Sequence, residues 1–138
     1  MEFSTAMTTQ APIRYDVADG MTERVDAVAC LDDRARRRAS PARPGRYIEV
    51  EGPQETLLIP LGPGVTHIGR GLAADLRLDE GSVSRRHAIL VQRSTCVRLL
   101  DDRSSNGTFV NGRRVVQADL HSGDVLLLGR VVLRYLEL

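Results

Sequence analysis

Ser105-Asn106-Gly107-Thr108-Phe109-Val110-Asn111-Gly112-Arg113-Arg114 decides how this chain is to be read. Thr108-Phe109-Val110 is a short β-prone run, and a second run opens at Arg113. The two residues between them, Asn111-Gly112, tolerate the positive φ angles of a type I′ turn, so the stretch predicts a tight β-hairpin. The same grammar extends in both directions. Leu126-Leu127-Leu128-Gly129-Arg130-Val131-Val132-Leu133 reads as another tight hairpin. Apolar residues on both of its arms call for burial against a second sheet.

From Tyr47 onward, short β-rich runs alternate with Gly, Pro, Asn and Asp. The runs are 47–50, 56–61, 65–68, 76–78, 88–92, 97–101, 108–110, 113–116, 124–128 and 131–136. This is the pattern of an all-β antiparallel β-sandwich with about 10–11 short strands, and no helix is needed within it. Before residue 46 the apolar residues are sparse. Arg36-Arg37-Arg38-Ala39-Ser40-Pro41-Ala42-Arg43-Pro44-Gly45 is a charge run that ends in helix breakers. Residues 1–45 therefore read as a flexible N-terminal tail or linker and 46–138 as the folded domain. One short helix is a candidate there, capped by Thr22, with Met21, Val25, Val28 and Ala29 on one face.

Composition narrows the function classes. The chain has 138 residues, 42% of them hydrophobic, enough for one core. Its formal charge is +1, and Arg and acidic residues are balanced on both sides of residue 46, unlike a nucleic-acid polycation. With 4% aromatic residues and no Trp there is little on which to stack bases. All 19 basic residues are Arg, whose planar fork grips phosphate through paired hydrogen bonds. Cys30 and Cys96 stand in no metal-ligand spacing, which fits a reducing cytoplasm. No apolar run is long enough to insert into a membrane. No cofactor and no metal site is expected.

Three inter-strand loops concentrate groups suited to an oxyanion. They are Gly69-Arg70-Gly71, Ser82-Val83-Ser84-Arg85-Arg86-His87 and Arg103-Ser104-Ser105-Asn106-Gly107-Thr108. Guanidinium, hydroxyl and amide groups converging at one end of a sandwich would hold a phosphate monoester. A hydrolase would have to pair Ser84 or Ser105 with His87 or His121, but the sequence contains no Gly-x-Ser-x-Gly elbow, so catalysis is not expected.

In order and in spacing, Gly69-Arg70, Val83-Ser84-Arg85-Arg86-His87-Ala88 and Ser105-Asn106-Gly107-Thr108-Phe109-Val110-Asn111-Gly112 resemble the signature blocks of forkhead-associated (FHA) domains. Leu120-His121-Ser122-Gly123-Asp124 resembles the family's late element. The resemblance covers about Tyr47 to Leu138 and implies an FHA-type β-sandwich. It implies a phosphothreonine-peptide-binding signalling module, acting downstream of a Ser/Thr kinase and without catalysis of its own. Carried over, it assigns Arg70 and Ser84 to the phosphate, with further contacts from Arg85 and Ser105, and Asn106 to the peptide backbone. Gly69, His87, Gly107, Asn111 and Gly112 become structural supports of the site. Ser105 stands where many members have Thr. Short actinobacterial FHA regulators of similar layout bind their own N-terminal phosphothreonine. Thr8 and Thr9 occupy the equivalent region here without the acidic neighbours those regulators have, and Ser40 follows a basic run suited to a basophilic kinase.

Overall fold

The structure, a computed structural model, describes residues 25–40 and 43–138. Eleven strands form two sheets, one strand more than the runs read from the sequence. β1 is Arg46–Glu51, β2 Thr56–Pro60, β3 Val65–Gly69, β4 Leu76–Arg77, β5 Ala88–Gln92 and β6 Val97–Asp101. β7 is Thr108–Val110, β8 Arg113–Val115, β9 Gln117–Leu120, β10 Val125–Leu128 and β11 Val131–Glu137. One sheet runs β2-β1-β11-β10-β7-β8 and the other β4-β3-β5-β6-β9.

Pairing is antiparallel apart from β3 with β4, which is parallel with Ile68 opposite Leu76. A parallel neighbour after so short a connection requires the loop to double back. Here the Asp75 carboxylate accepts the His67 N–H at 2.8 Å, and Ala74 N–H donates to Gly71 O at 3.1 Å, folding residues 70–75 against the strand they left. The two tight hairpins form as expected. Val110 pairs with Arg113 across Asn111 (φ 51°) and Gly112 (φ 83°), and Leu128 pairs with Val131 across Gly129-Arg130. A β-branched residue at either central position of the first turn would be strained.

Between the sheets lies one continuous apolar core, in which Ile48, Ile68, Leu78, Leu90, Leu99, Leu126, Leu133 and Tyr135 are buried. β10 is buried along its whole length. Leu126 and Leu128 face this core, whereas Val125 and Leu127 join Phe109 and Val132 in a smaller cluster.

The boundary expected near residue 46 is corrected by the segment before it. Val28–Cys30 forms a 3-10 turn and Asp33–Arg38 a helix, α1, whose N-cap Asp32 accepts the Ala35 N–H at 2.9 Å. Val28, Cys30, Leu31 and Ala35 are buried in the main core, and Leu31 bridges to Leu78 beside β4. The segment closes the side of the sandwich where the edge strands β2 and β4 would otherwise expose unpaired backbone. Arg38 donates to Asp75 O at 3.0 Å and to Pro60 O at 3.2 Å, so one guanidinium spans both sheet edges. Arg34 reaches Ala74 O at 2.6 Å, and Arg36 caps Val28 O at 2.8 Å. Arg36 and Arg38 of the charge run are thus backbone-capping forks, and residues 25–40 are no flexible tail. The candidate helix resolves differently as well: Met21 and Thr22 lie outside the described residues, while Val28 and Ala29 belong to the 3-10 turn.

Candidate functional site

The three loops meet at one end of the sandwich, held by hydrogen bonds their own residues make. β3 ends at Gly69, where a side chain would stand 2.1 Å from Arg85 O, so only glycine lets the β4–β5 loop approach this closely. Across that contact Arg70 N–H donates to Ser84 O at 2.9 Å and Gly71 N–H to Arg85 O at 3.1 Å. Arg70 Nε donates to Val83 O at 3.0 Å, which fixes its guanidinium and leaves both Nη groups without a protein acceptor among the described residues.

His87 ties the β4–β5 and β6–β7 loops together from inside. It is fully buried; its Nδ1 accepts the Ser84 N–H at 3.0 Å, and its Nε2 lies 2.9 Å from Gly107 O. Because Nδ1 must accept, the proton sits on Nε2 and the ring is neutral. Burial holds its pKa below the ordinary histidine range, against the opposing pull of Gly107 O and Asp101. A ring with both nitrogens engaged has none to offer a substrate. Ser105 N–H then donates to Ser84 Oγ at 2.9 Å, leaving the Ser84 hydroxyl proton free to point outward.

The result is a polar cleft of about 460 Å³ lined by Arg70, Ser84, Arg85 and Ser105, with Arg86, Asp102 and Arg103 completing its wall. Four of the five residues expected to touch ligand therefore share one cavity. Asn106 stands outside that lining and donates from Nδ2 to Ser82 O at 2.8 Å, which leaves its Oδ1 to accept. Among the supports, Asn111 clamps β7 to β10: its Oδ1 accepts Val125 N–H at 2.9 Å and its Nδ2 donates to Asp124 at 3.0 Å.

Sequence reasoning missed two supporting networks. The Asp101 carboxylate accepts from the Ser104 hydroxyl and N–H and from Thr108 Oγ1 at 2.7 Å, which shapes the β6–β7 loop. Burial would raise its pKa, but those hydroxyl bonds outweigh it and hold the carboxyl below its ordinary value. An Asp three residues before a Ser was the available signal. In the second network, Glu80 accepts from the Ser82 N–H and hydroxyl and pairs with Arg130 at 2.8 Å. Ser82 Oγ in turn accepts Arg130 N–H at 2.9 Å. No sequence signal joins residues 50 apart. Among the described residues no cluster of three His, Cys, Asp or Glu side chains could hold a metal ion, and no helix is long and apolar enough to cross a membrane. Cys30 and Cys96 are free thiols.

A two-sheet sandwich that presents guanidinium, hydroxyl and amide groups from three consecutive loops defines a class of ligand-reading domains. This chain belongs to the FHA domain family: the family model matches residues 66–129. The oxoglutarate dehydrogenase inhibitor of Corynebacterium diphtheriae is 33% identical over 97 residues, which are 70% of this chain and 68% of that protein. The ABC transporter ATP-binding/permease protein Rv1747 of Mycobacterium tuberculosis is 46% identical over 71 residues, 51% of this chain but 8% of the transporter. A solved FHA domain studied for phosphothreonine-dependent interactions matches with a TM-score of 0.61 and 33% identity, over 67% of this chain and 96% of its own.

Proposed function

We propose that this chain reads phosphothreonine peptides at the cleft of Arg70, Ser84, Arg85 and Ser105, as a non-catalytic signalling module downstream of a Ser/Thr protein kinase. The observation that carries the reading is the coupling of the Ser84 and Ser105 loops through Ser105 N–H and Ser84 Oγ, with Arg70 lining the same cavity. A phosphoryl group adds a charge of about −1.5 to −2 and three acceptor oxygens where the bare hydroxyl offers neither. The loops are already braced, so little ordering opposes binding. Asn106 Oδ1 is the acceptor for a ligand backbone N–H beside the phosphothreonine. Neither histidine is placed to serve a hydrolase: both nitrogens of His87 are bonded, and His121 sits in the β9–β10 turn against Asp124. Calorimetry with matched peptides tests the reading. Two charge-assisted bonds at about 1.5 kcal/mol each predict that the phosphothreonine peptide binds roughly a hundredfold more tightly than its threonine counterpart, with no phosphate released. Equal affinities, or peptide turnover, would overturn it.

The position of Val25 favours a second reading of the partner, the chain's own N-terminal region. Val25 N–H donates to Arg130 O at 3.3 Å, Arg130 N–H to Ser82 Oγ at 2.9 Å, and Ser82 O accepts from Asn106. Val25 therefore stands a few bonds from the cleft. Thr8 and Thr9 lie outside the described residues. Sixteen Cα–Cα steps separate Thr9 from Val25, and fully extended they reach about 55 Å, against a radius of roughly 13 Å for a 100-residue domain. A tethered phosphothreonine competes at an effective concentration of order millimolar. Ser40 is a poorer acceptor for such a loop, being half-buried with its N–H bonded to Leu58 O at 3.1 Å on β2. After stoichiometric phosphorylation of Thr8 or Thr9 by a bacterial kinase, a phosphothreonine peptide should titrate with about tenfold lower apparent affinity or less. Undiminished affinity would exclude self-binding.

A further inference from the structure

Ser82 stands outside the cleft lining, yet its carbonyl decides which way Asn106 presents its amide. An asparagine amide offers either its NH2 or its oxygen on a given side, and a carbonyl accepts but never donates. Asn106 Nδ2 therefore turns to Ser82 O at 2.8 Å, and Oδ1 is left without a protein donor among the described residues. Ser82 is itself tightly held. Its N–H donates to the Glu80 carboxylate at 2.7 Å and its hydroxyl to the same oxygen, while its Oγ accepts Arg130 N–H at 2.9 Å. At Gly129 (φ 60°) a Cβ would stand 2.4 Å from Ser82 O, so the β10–β11 turn packs directly on the carbonyl that orients Asn106. The Glu80 carboxylate is aimed by its other oxygen, which accepts from Arg130 Nη2 at 2.8 Å, and the Glu80 side chain is only 13% exposed.

Resting on the phosphothreonine reading above, we infer that Arg130 and Glu80 are positioning residues for capture of the ligand's backbone, acting on Asn106 through Ser82. Both stand outside the cleft lining. One carboxylate oxygen takes both Ser82 bonds because the guanidinium engages the other, so the pair sets the angle at which Ser82 O meets Asn106. Burial would raise the Glu80 pKa, but the Ser82 and Arg130 bonds outweigh it and keep the acceptor ionised. The phosphate side of the cleft hangs on different bonds, Arg70 Nε on Val83 O and Ser84 N–H on His87. Val83 is anchored apart from its neighbour, by a buried side chain and by its N–H to Glu80 O at 2.9 Å. Recognition thus has two supports: the histidine behind the phosphate, and an ion pair 50 residues apart in sequence behind the backbone contact.

Calorimetry on the full chain with a phosphothreonine peptide tests this through a double-mutant cycle of Arg130→Met and Asn106→Ala. Arg130→Met keeps the aliphatic stem and the backbone N–H to Ser82 Oγ, and removes the guanidinium. It should weaken the peptide about three- to tenfold, yet cost nothing further once Asn106→Ala has removed the residue it acts through. A merely structural loss would weaken binding in both backgrounds alike. Glu80→Gln keeps an acceptor for Ser82 and loses the charge, and it runs through the same cycle should Arg130→Met fail to fold. Peptides N-methylated in turn at the backbone amides beside the phosphothreonine supply a second readout. The parent should lose affinity at one amide, and Arg130→Met should lose less at that same amide. Losses that add in the cycle, or Arg130→Met and Glu80→Gln proteins that bind as the parent does, overturn the inference and leave the phosphothreonine reading standing. An Asn106→Ala protein of parental affinity does the same. If the phosphothreonine peptide binds no better than its threonine counterpart, the reading and the inference fall together.

Discussion

Arg70→Ala is expected to weaken phosphothreonine-peptide binding by about ten- to a hundredfold without lowering the melting temperature. The magnitude follows from one or two charge-assisted hydrogen bonds to phosphate, each contributing about 1.5 to 3 kcal/mol. The retained stability follows from location. Arg70 is part-exposed, and its side chain makes one bond to the protein, Nε to Val83 O. Arg70→Lys discriminates further, because an ammonium keeps the charge but loses the fork. It should recover only part of the affinity and should bind with a steeper salt dependence. Unchanged calorimetric affinity in a folded Arg70→Ala variant would contradict the assignment. The same titration separates ligand from brace in the neighbouring loop. Ser84→Ala removes an outward hydroxyl and should cost affinity with little stability. His87→Ala leaves Ser84 N–H and Gly107 O unpaired in the interior and should cost both. Acid has a related effect. A histidine whose folded pKa lies below its unfolded value of 6.5 takes up protons preferentially in the unfolded state, so stability is complete above pH 6.5 and falls as pH drops below it.

Most of the sandwich was legible because its signals are local. Asn111-Gly112 and Gly129-Arg130 each encode a turn within two residues, and the flanking runs need only a period of two. β9 escaped because Gln117–Leu120 is an edge strand with one buried residue, Leu120, so no alternation marks it. The parallel β3–β4 pair escaped because it depends on a connection folded back by His67 N–H to Asp75, Ala74 N–H to Gly71 O and Arg77 Nε to Arg70 O, bonds that no turn dipeptide announces. The ligand-facing residues were legible through their ordered blocks. The braces behind them were visible only in part, since the bonds of His87 to Ser84 and of Asp101 to Ser104 and Thr108 are local but that joining Glu80 to Arg130 depends on how segments 50 residues apart pack. Arginine misled in the opposite sense. Read as charge, 36–38 is a solvated run; read as guanidinium forks, Arg36 satisfies Val28 O in the 3-10 turn and Arg38 satisfies carbonyls beside two sheet edges.

Leu31→Ala therefore carries the second large expectation. Were residues 25–40 a linker, truncating a leucine there would change nothing measurable. In the structure Leu31 is 5% exposed, belongs to the central core cluster and bridges to Leu78, which is fully buried. Removing a core leucine costs the transfer energy of the lost atoms plus that of the cavity left behind, about 2 to 5 kcal/mol. Against a total stability of roughly 5 to 15 kcal/mol, that should lower the melting temperature by about 10 °C or more. Beside Leu31, Cys30 O accepts Asp79 N–H at 2.8 Å, and Arg130 links the start of the segment to Ser82. Loosening the segment should consequently reach the β4–β5 loop and weaken phosphopeptide binding as well, although Leu31 lies outside the cleft lining. A chain beginning at Val25 supplies the control, since it keeps every bond described for the segment and should melt with the full-length protein. Thermal melts of these two chains decide where the folded unit begins. A Leu31→Ala protein as stable as the parent would return residues 25–40 to the status of a linker.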